Sequence, residues 1–210
     1  MSDQRSLFDS SEIIQNFDCF GSSLILHQFF FEKEKADIYF KALHSQTAWK
    51  QEEIKMFGEV IPLPRLTSWY GDPGSEYVYS GVKNKPLDWL TILNEIRESI
   101  QHYTQRSYNS LLMNLYRDGN DGVAWHADDE KELGHNPFIA SLSLGATRTF
   151  QIKPKIGQDK PISIALGHGD LLLMSGDTQT KCLHQIPKTK KIVTPRINMT
   201  FRNVTDTSLK

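Results

Sequence analysis

The spacing of hydrophobic and polar positions changes twice along this chain. Residues 1–20 are polar and mixed and are expected to form a loosely packed arm. Residues 22–30, SSLILHQFF, are a short apolar run bounded by turn residues, the pattern of a strand. Residues 32–45, EKEKADIYFKALHS, place charges and apolar side chains at helical spacing. Residues 61–86 concentrate Pro, Gly and aromatics and read as strands and turns. Leu87, Leu90, Leu93, Ile96, Ile100 and Tyr103 then recur every three or four positions. That spacing predicts a helix with one apolar face and Pro86 in its first turn.

Beyond about residue 107 the period falls to two. SLLMNLYR, FIASLSLG, TRTFQIK, ISIAL, DLLLM and RINMTFR are short alternating segments separated by turn residues. Many short strands at regular spacing predict a sandwich or barrel. The expected fold is mainly β with flanking helices. A β-barrel or jelly roll spans about 107–204, and an N-terminal helix and hairpin layer packs on it, all within one domain over 21–210. The length of 210 residues, with 39% hydrophobic and 23% charged residues, suits one domain with a full core.

Charge and cysteine content narrow the function classes. The net charge of −1 does not advertise a nucleic-acid binder, although local patches matter more than the sum. Two basic runs stand out: QIKPKIGQDK, and PKTKKIVTPR with Lys188, Lys190, Lys191 and Arg196. Cys19 and Cys182 are too few for a disulfide framework, so a reducing, cytoplasmic setting is expected, with the nucleus as the alternative in a eukaryotic host. The N-terminus carries no secretory pattern, and no apolar run approaches the roughly 18 residues of a membrane span, so no membrane partner is expected. A monomer is assumed.

The same alternation exposes candidate chemistry. In RINMTFR, Ile197, Met199 and Phe201 share one face, and Arg196, Asn198, Thr200 and Arg202 share the other. If the second face is open to water, it is an ordinary exposed strand. If it is enclosed, its two guanidiniums need anions, and a dicarboxylate ligand would suit them. In LLMNLYR, Leu112, Asn114 and Tyr116 face one way and Met113, Leu115 and Arg117 the other. His126 and Asp128 are two apart, so both can reach one point. Such a pair alone is more often structural than a metal site. A second His from a distant strand changes that, and His184 and His168 are the candidates. His184 is favoured because His168 sits in a turn-like GHG. Two His and one carboxylate with open positions form the facial triad of non-haem Fe(II) oxygenases.

At this point the chain resembles a known family. NLYRDGNDGVAWHADDE, FIASLSLGATRTFQIK and PRINMTFR look like the AlkB family of Fe(II)- and 2-oxoglutarate-dependent nucleic-acid dealkylases. IPLPRLTSWYGDPGSEYVYSG resembles that family's nucleotide-recognition region, about 60–85. The likeness runs from about residue 60 to 204, more weakly to the N-terminal strands. It is closest to the short eukaryotic-type homologues that act on 1-methyladenine and 3-methylcytosine.

The resemblance implies a double-stranded β-helix core and a set of roles. His126, Asp128 and His184 would bind Fe(II). Arg196 would pair with the distal carboxylate of 2-oxoglutarate. Asn114, Tyr116 and Arg202 would complete that pocket, with Asn198 and Thr200 as supporting contacts. Asp129 would contact a flipped-out base, and a carboxylate beside an aromatic wall selects a cationic base. Tyr79, stacking opposite His126, is the first choice for that wall; Trp69, Tyr77 and Ser80 are secondary choices. Lys and Arg around 50–65 and 83–85, and the 188–191 patch, would contact phosphates.

The implied reaction consumes O₂ and 2-oxoglutarate, hydroxylates the N-methyl group and releases formaldehyde. The implied partner is alkylated DNA, single- or double-stranded, with RNA left open and no wedge residue identified for a duplex. Two rivals stand beside it: an oxygenase of the same fold acting on a protein or small molecule, and a binding module without catalysis.

Overall fold

The structure is a computed structural model describing residues 13–56, 58–75, 77–79, 82–191 and 193–205; for 55–56, 77–79 and 82–84 it describes the backbone alone. In chain order the elements are β1 (Ile13–Cys19), β2 (Ser22–Gln28), α1 (Lys33–Gln46), β3 (Glu53–Met56), β4 (Glu59–Pro62), β5 (Leu66–Gly71), β6 (Tyr77–Tyr79), β7 (Val82–Asn84), α2 (Thr91–Thr104), β8 (Ser110–Tyr116) and β9 (Val123–His126). After a 3₁₀ turn at Lys131–Leu133 come β10 (Ile139–Gly145), β11 (Arg148–Pro154), β12 (Ile162–Leu166), β13 (Leu171–Ser175), α3 (Thr178–Lys181), β14 (Cys182–Ile186) and β15 (Arg196–Arg202).

Two antiparallel sheets face each other. The larger runs β1-β2-β13-β10-β15-β8-β5 and the smaller β12-β11-β14-β9. This is a jelly roll, with the β3-β4 and β6-β7 hairpins as separate two-stranded pieces. No helix among the described residues is long and apolar enough to cross a membrane.

Strand alternation sorts side chains into two interiors. The outer face of the large sheet puts Met113, Leu115, Ala140, Leu142, Leu144, Ile197, Met199 and Phe201 against Ala36, Tyr39 and Leu43 of α1 and Leu93, Ile96 and Ile100 of α2. Between the sheets, Leu24, Leu26, Ile139, Leu172 and Met174 meet Phe150, Ile152, Ile164, Leu166 and Ile186. Full burial of a Leu- or Ile-sized side chain contributes about 1.5–3 kcal/mol. Both β8 and β15 are buried along their whole length. Their polar faces therefore line an interior, which decides against the open-strand reading.

Two expectations need correction. The arm predicted over 1–20 does not extend through 13–19. That segment pairs with β2 residue by residue, from Ile13↔Gln28 to Cys19↔Ser22. It looks polar because an edge strand faces water on both sides; Ile13 and Ile14 are exposed. Phe20 and Gly21, both at positive φ (59° and 78°), make the two-residue turn.

The helix predicted from Leu87 begins only at Thr91. The Leu87 N–H donates to the Trp69 carbonyl, and the Gly71 N–H donates to the Leu87 carbonyl. Residues 86–90 are thus a strap on β5, further tied by Trp89 Nε1 donating to Asp72 Oδ1 at 2.7 Å. Leu93, Ile96 and Ile100 do form the buried face, while Tyr103 is exposed.

Candidate active site

Pairing register brings the predicted metal ligands together. His184 on β14 is the cross-strand partner of His126 on β9, so both imidazoles leave the same face of the small sheet. Their ring centroids lie 4.2 Å apart. Gly122, at the entry to β9, packs so closely that a Cβ there would fall 2.6 Å from the Ile186 carbonyl oxygen. Glycine therefore lets β9 lie against β14. The chain leaves β9 after His126, and Asp128 turns inward.

One potential ligand atom from each of His126, Asp128 and His184 lies within 4.8 Å of the other two. His126 Nδ1 is 2.9 Å from the Ala124 carbonyl. A carbonyl only accepts, so Nδ1 carries a proton, and Nε2, 3.7 Å from Asp128 Oδ1, is the nitrogen on the side of the cluster. Phe150 stacks on His184 at 5.4 Å and 24°. Burial, with His126 beside it, pushes the His184 imidazole down to about 3, so it is neutral at pH 7. Burial alone would raise the Asp128 carboxyl. The Arg202 charge, the neighbouring imidazoles and the Arg202 hydrogen bond outweigh it and hold Asp128 well below the usual carboxylate range. Arg202 Nη2 donates to Asp128 Oδ2 at 2.7 Å.

The large sheet supplies the opposite wall. β15 lies between β8 and β10, pairing Arg196↔Tyr116 and Asn198↔Asn114 on one side and Asn198↔Ser143 on the other. Inward side chains from all three strands join the triad around a cavity of about 530 Å³ of empty space, mouth included. Asn198 Nδ2 donates to Ser141 Oγ at 2.8 Å, and Thr200 Oγ1 donates to Asn198 Oδ1 at 3.1 Å.

Arg196 is 1% exposed. Its Nη2 donates to Ser143 Oγ at 2.8 Å, while Nε and Nη1 are buried without a hydrogen-bond partner. Burial pushes its guanidinium down to about 10. A buried, incompletely satisfied guanidinium fits an anionic ligand, and a carboxylate matches its planar fork. Two imidazoles and a carboxylate are equally suited to a divalent first-row metal. On donor chemistry and on the orphaned Arg196 nitrogens, these residues fit Fe(II) and 2-oxoglutarate.

The structure therefore gathers His126, Asp128, His184, Asn114, Tyr116, Arg196, Asn198, Thr200 and Arg202 around one cavity. His168 is elsewhere, accepting from the Gly145 N–H and lying 3.1 Å from Asp37. Asp129 is exposed and paired with Lys155 Nζ at 2.7 Å. Trp69 shares the face of its cross-strand partner Leu112 but is not among the residues around the cavity; on β5, at the end of the large sheet, it packs on Leu133 and Val204. Tyr77 and Tyr79 lie on β6, where only the backbone is described, and Ser80 lies outside the described residues.

Two basic residues change role. Arg65 is buried in the cavity, with Nε donating to Asn114 Oδ1 at 2.8 Å, so it is not a surface phosphate contact. Arg196 likewise leaves the basic run, whose Lys188, Lys190 and Lys191 are exposed. Ser141, Ser143, Arg65 and Gln179 were not anticipated. Gln179 Oε1 accepts the Asp128 N–H at 2.9 Å. Alternation in FIASLSLG already separates Ser141 and Ser143 from Ala140, Leu142 and Leu144 and could have found the two serines.

A family model described as the 2OG-Fe(II) oxygenase superfamily matches residues 22–202. The chain is 40% identical over 192 residues to mouse alpha-ketoglutarate-dependent dioxygenase alkB homolog 3, covering 87% of this chain and 66% of that protein. It is 35% identical over 184 residues to human DNA oxidative demethylase ALKBH2, covering 83% and 70%. The chain thus spans just under two thirds of the alkB homolog 3 protein it matches. A solved structure titled as that of OsALKBH1 superposes with a TM-score of 0.61 at 16% identity, covering 91% of this chain and 100% of that one, a likeness of fold. The chain belongs to the AlkB family within the 2OG-Fe(II) oxygenase superfamily.

Proposed function

We propose that this protein is an Fe(II)- and 2-oxoglutarate-dependent dioxygenase that removes methyl groups from 1-methyladenine and 3-methylcytosine in DNA. The observation that carries the reading is a single cavity holding the His126–Asp128–His184 cluster at one side and the orphaned nitrogens of Arg196 at another. The names of the ALKBH2 relatives, DNA oxidative demethylase, support the substrate class.

His126, Asp128 and His184 would hold the metal, with Arg202 keeping Asp128 ionised. Arg196 would bind the distal carboxylate of 2-oxoglutarate, with Asn114, Tyr116, Asn198 and Thr200 around it. When bound, iron with 2-oxoglutarate and O₂ supplies the oxidation that hydroxylates the methyl group, releasing succinate and CO₂. The chain's own contribution is placement. Its cavity holds the methyl group close to the triad and away from bulk water. The target base must leave its stack, which costs least for a damaged or unpaired base. Asp129, exposed and next in sequence to Asp128, would favour a base bearing positive charge. The hydroxymethyl base then releases formaldehyde and the unmodified base.

The test is incubation with Fe(II), 2-oxoglutarate, ascorbate and single-stranded DNA bearing one 1-methyladenine, followed by mass spectrometry. Loss of the methyl group that needs 2-oxoglutarate and is absent in His126→Ala supports the reading. Succinate formation with unchanged DNA would move the assignment to a protein or small-molecule oxygenase of the same fold.

A further inference from the structure

A second groove, with about 700 Å³ of empty space, mouth included, has no part in the mechanism above. It adjoins the active site along the chain. Arg202 lines the cavity, and the next residue, Asn203, lines the groove. Its walls are fixed. Asn109 Nδ2 donates to the Val204 carbonyl and Asn109 Oδ1 accepts the Val204 N–H, both at 2.7 Å. The Thr205 N–H donates to the Glu132 carbonyl at 2.8 Å. No described residue lining the groove is acidic, although the chain carries 25 Asp and Glu. Arg97, Arg117 and Arg202 are ion-paired with Asp72, Asp121 and Asp128. Exposed Arg106 meets no carboxylate among the described residues; its guanidinium carbon lies over the Phe138 ring, 5.2 Å from the centroid. Asn136, also in the groove wall, has its Oδ1 buried without a hydrogen-bond partner, a deficit that a donor from a ligand would relieve.

We propose that this groove is a subsite for an unflipped nucleotide neighbouring the target base, with Arg106 and Phe138 as its platform. This rests on the dealkylase reading above. Nucleic-acid bases stack on Arg planes as they do on aromatic rings. Phe138 backs the Arg106 guanidinium, and the base stacks on the side that faces solvent. The guanidinium N–H groups then donate to the adjoining phosphate. A groove without carboxylates does not repel that phosphate. Ser107, Asn203 and Thr205 offer hydroxyl and amide groups to whichever base is present, so the contact tolerates any sequence. The bonds from Asn109 and Glu132 hold the groove open in advance, so little ordering is lost on binding.

The test has two readouts. Fluorescence anisotropy follows binding of a short, unmodified, labelled single-stranded DNA to metal-free wild type, Arg106→Ala, Arg106→Lys and Phe138→Leu across a range of salt. Arg106→Ala should weaken binding about tenfold, the scale of one stacked base. Its log–log salt slope should be shallower by about 0.7, the value of one phosphate contact on a single strand. Arg106→Lys and Phe138→Leu should keep the wild-type slope and still bind more weakly, because charge remains and the platform is lost. Mass spectrometry then compares kcat/KM on a strand bearing 1-methyladenine with that on the free 1-methyladenine nucleotide, which has no neighbour to place in the groove. The preference for the strand should fall about tenfold in Arg106→Ala, through KM. An unchanged Kd and salt slope in Arg106→Ala, or an unchanged preference for the strand, overturns the proposal. A wild type that binds the strand through Arg106 and demethylates neither substrate overturns the dealkylase reading and leaves the groove as a nucleic-acid site.

Discussion

Arg202 and Asp128 form an ion pair of 2.7 Å whose side chains are only 3% and 4% exposed. The pair joins the last residue of β15 to the loop after β9, so it ties the large sheet to the metal-binding side of the small one. Breaking a buried pair by removing one partner leaves a bare charge, which typically costs about 3–5 kcal/mol. Arg202→Met should lose that much stability in urea melts of the metal-free protein. Adding Asp128→Asn to it should recover part of the loss, because the orphaned charge is then gone. A divalent cation supplies the missing positive charge, so Mn(II) should raise the melting temperature of Arg202→Met more than that of wild type. Equal shifts would mean that Arg202 does not substitute for the metal's charge.

Much of this site is legible from residue spacing. Alternation in RINMTFR and LLMNLYR separates cavity from core without any pairing information, because both strands are buried on two faces. What spacing cannot supply is register. Arg65 precedes β5, and it reaches Asn114 only because Leu66↔Leu115 and Thr67↔Asn114 pair in that order. Gln179 lies in a single turn of helix and meets the Asp128 N–H across 51 residues of chain, with no local signal. The strap at 86–90 misled the helix prediction for a related reason. Leu87 and Leu90 keep helical spacing with Leu93, yet Leu87's backbone is claimed by β5. The Asp129–Lys155 contact depends on where β11 ends relative to β14, and so was equally invisible.

Gln179 is a positioning residue for Asp128. Gln179→Leu removes the acceptor of a buried N–H, a loss of about 1–3 kcal/mol. Removing a partner that orients a metal ligand typically weakens metal affinity about 10–100-fold. Metal titration followed by calorimetry should show that weakening, while 2-oxoglutarate binding to the metal-loaded variant changes far less. A Gln179→Glu variant would repel Asp128 and should be worse than Leu.

His184 gives the metal-free protein an acid sensitivity of definite sign. Its folded value, about 3, lies below the ordinary 6.5. The unfolded chain therefore takes up a proton through pH 6.5 while the folded one does not, so stability falls as pH drops from about 6.5 towards 3. Between pH 6.5 and 5 this group alone should remove about 2 kcal/mol. Urea melts of metal-free wild type and His184→Gln across that window should show a steep loss in the first and a shallower one in the second. Asp128, held low by Arg202, adds loss of the same sign only below about pH 4.

Arg196 should behave in opposite ways with and without its ligand. In the ligand-free protein it is a buried charge with two unpartnered nitrogens, so its desolvation is not repaid, and an apolar side chain of similar length removes that penalty. Arg196→Met should therefore melt at or above the wild-type temperature when 2-oxoglutarate is absent. With 2-oxoglutarate and metal present, wild type gains stability as ligand concentration rises above its Kd. Two charge-assisted hydrogen bonds, each about 1.5–3 kcal/mol, are lost from the variant's complex, so its affinity for 2-oxoglutarate should fall by about 100-fold or more. The melting curves would then cross: the variant is more stable alone, and wild type is more stable with ligand. A variant that melts lower in both conditions would show Arg196 to be a structural member of the cavity wall, held by Ser143 Oγ and by the Tyr116 ring 5.3 Å from its guanidinium carbon without any anion.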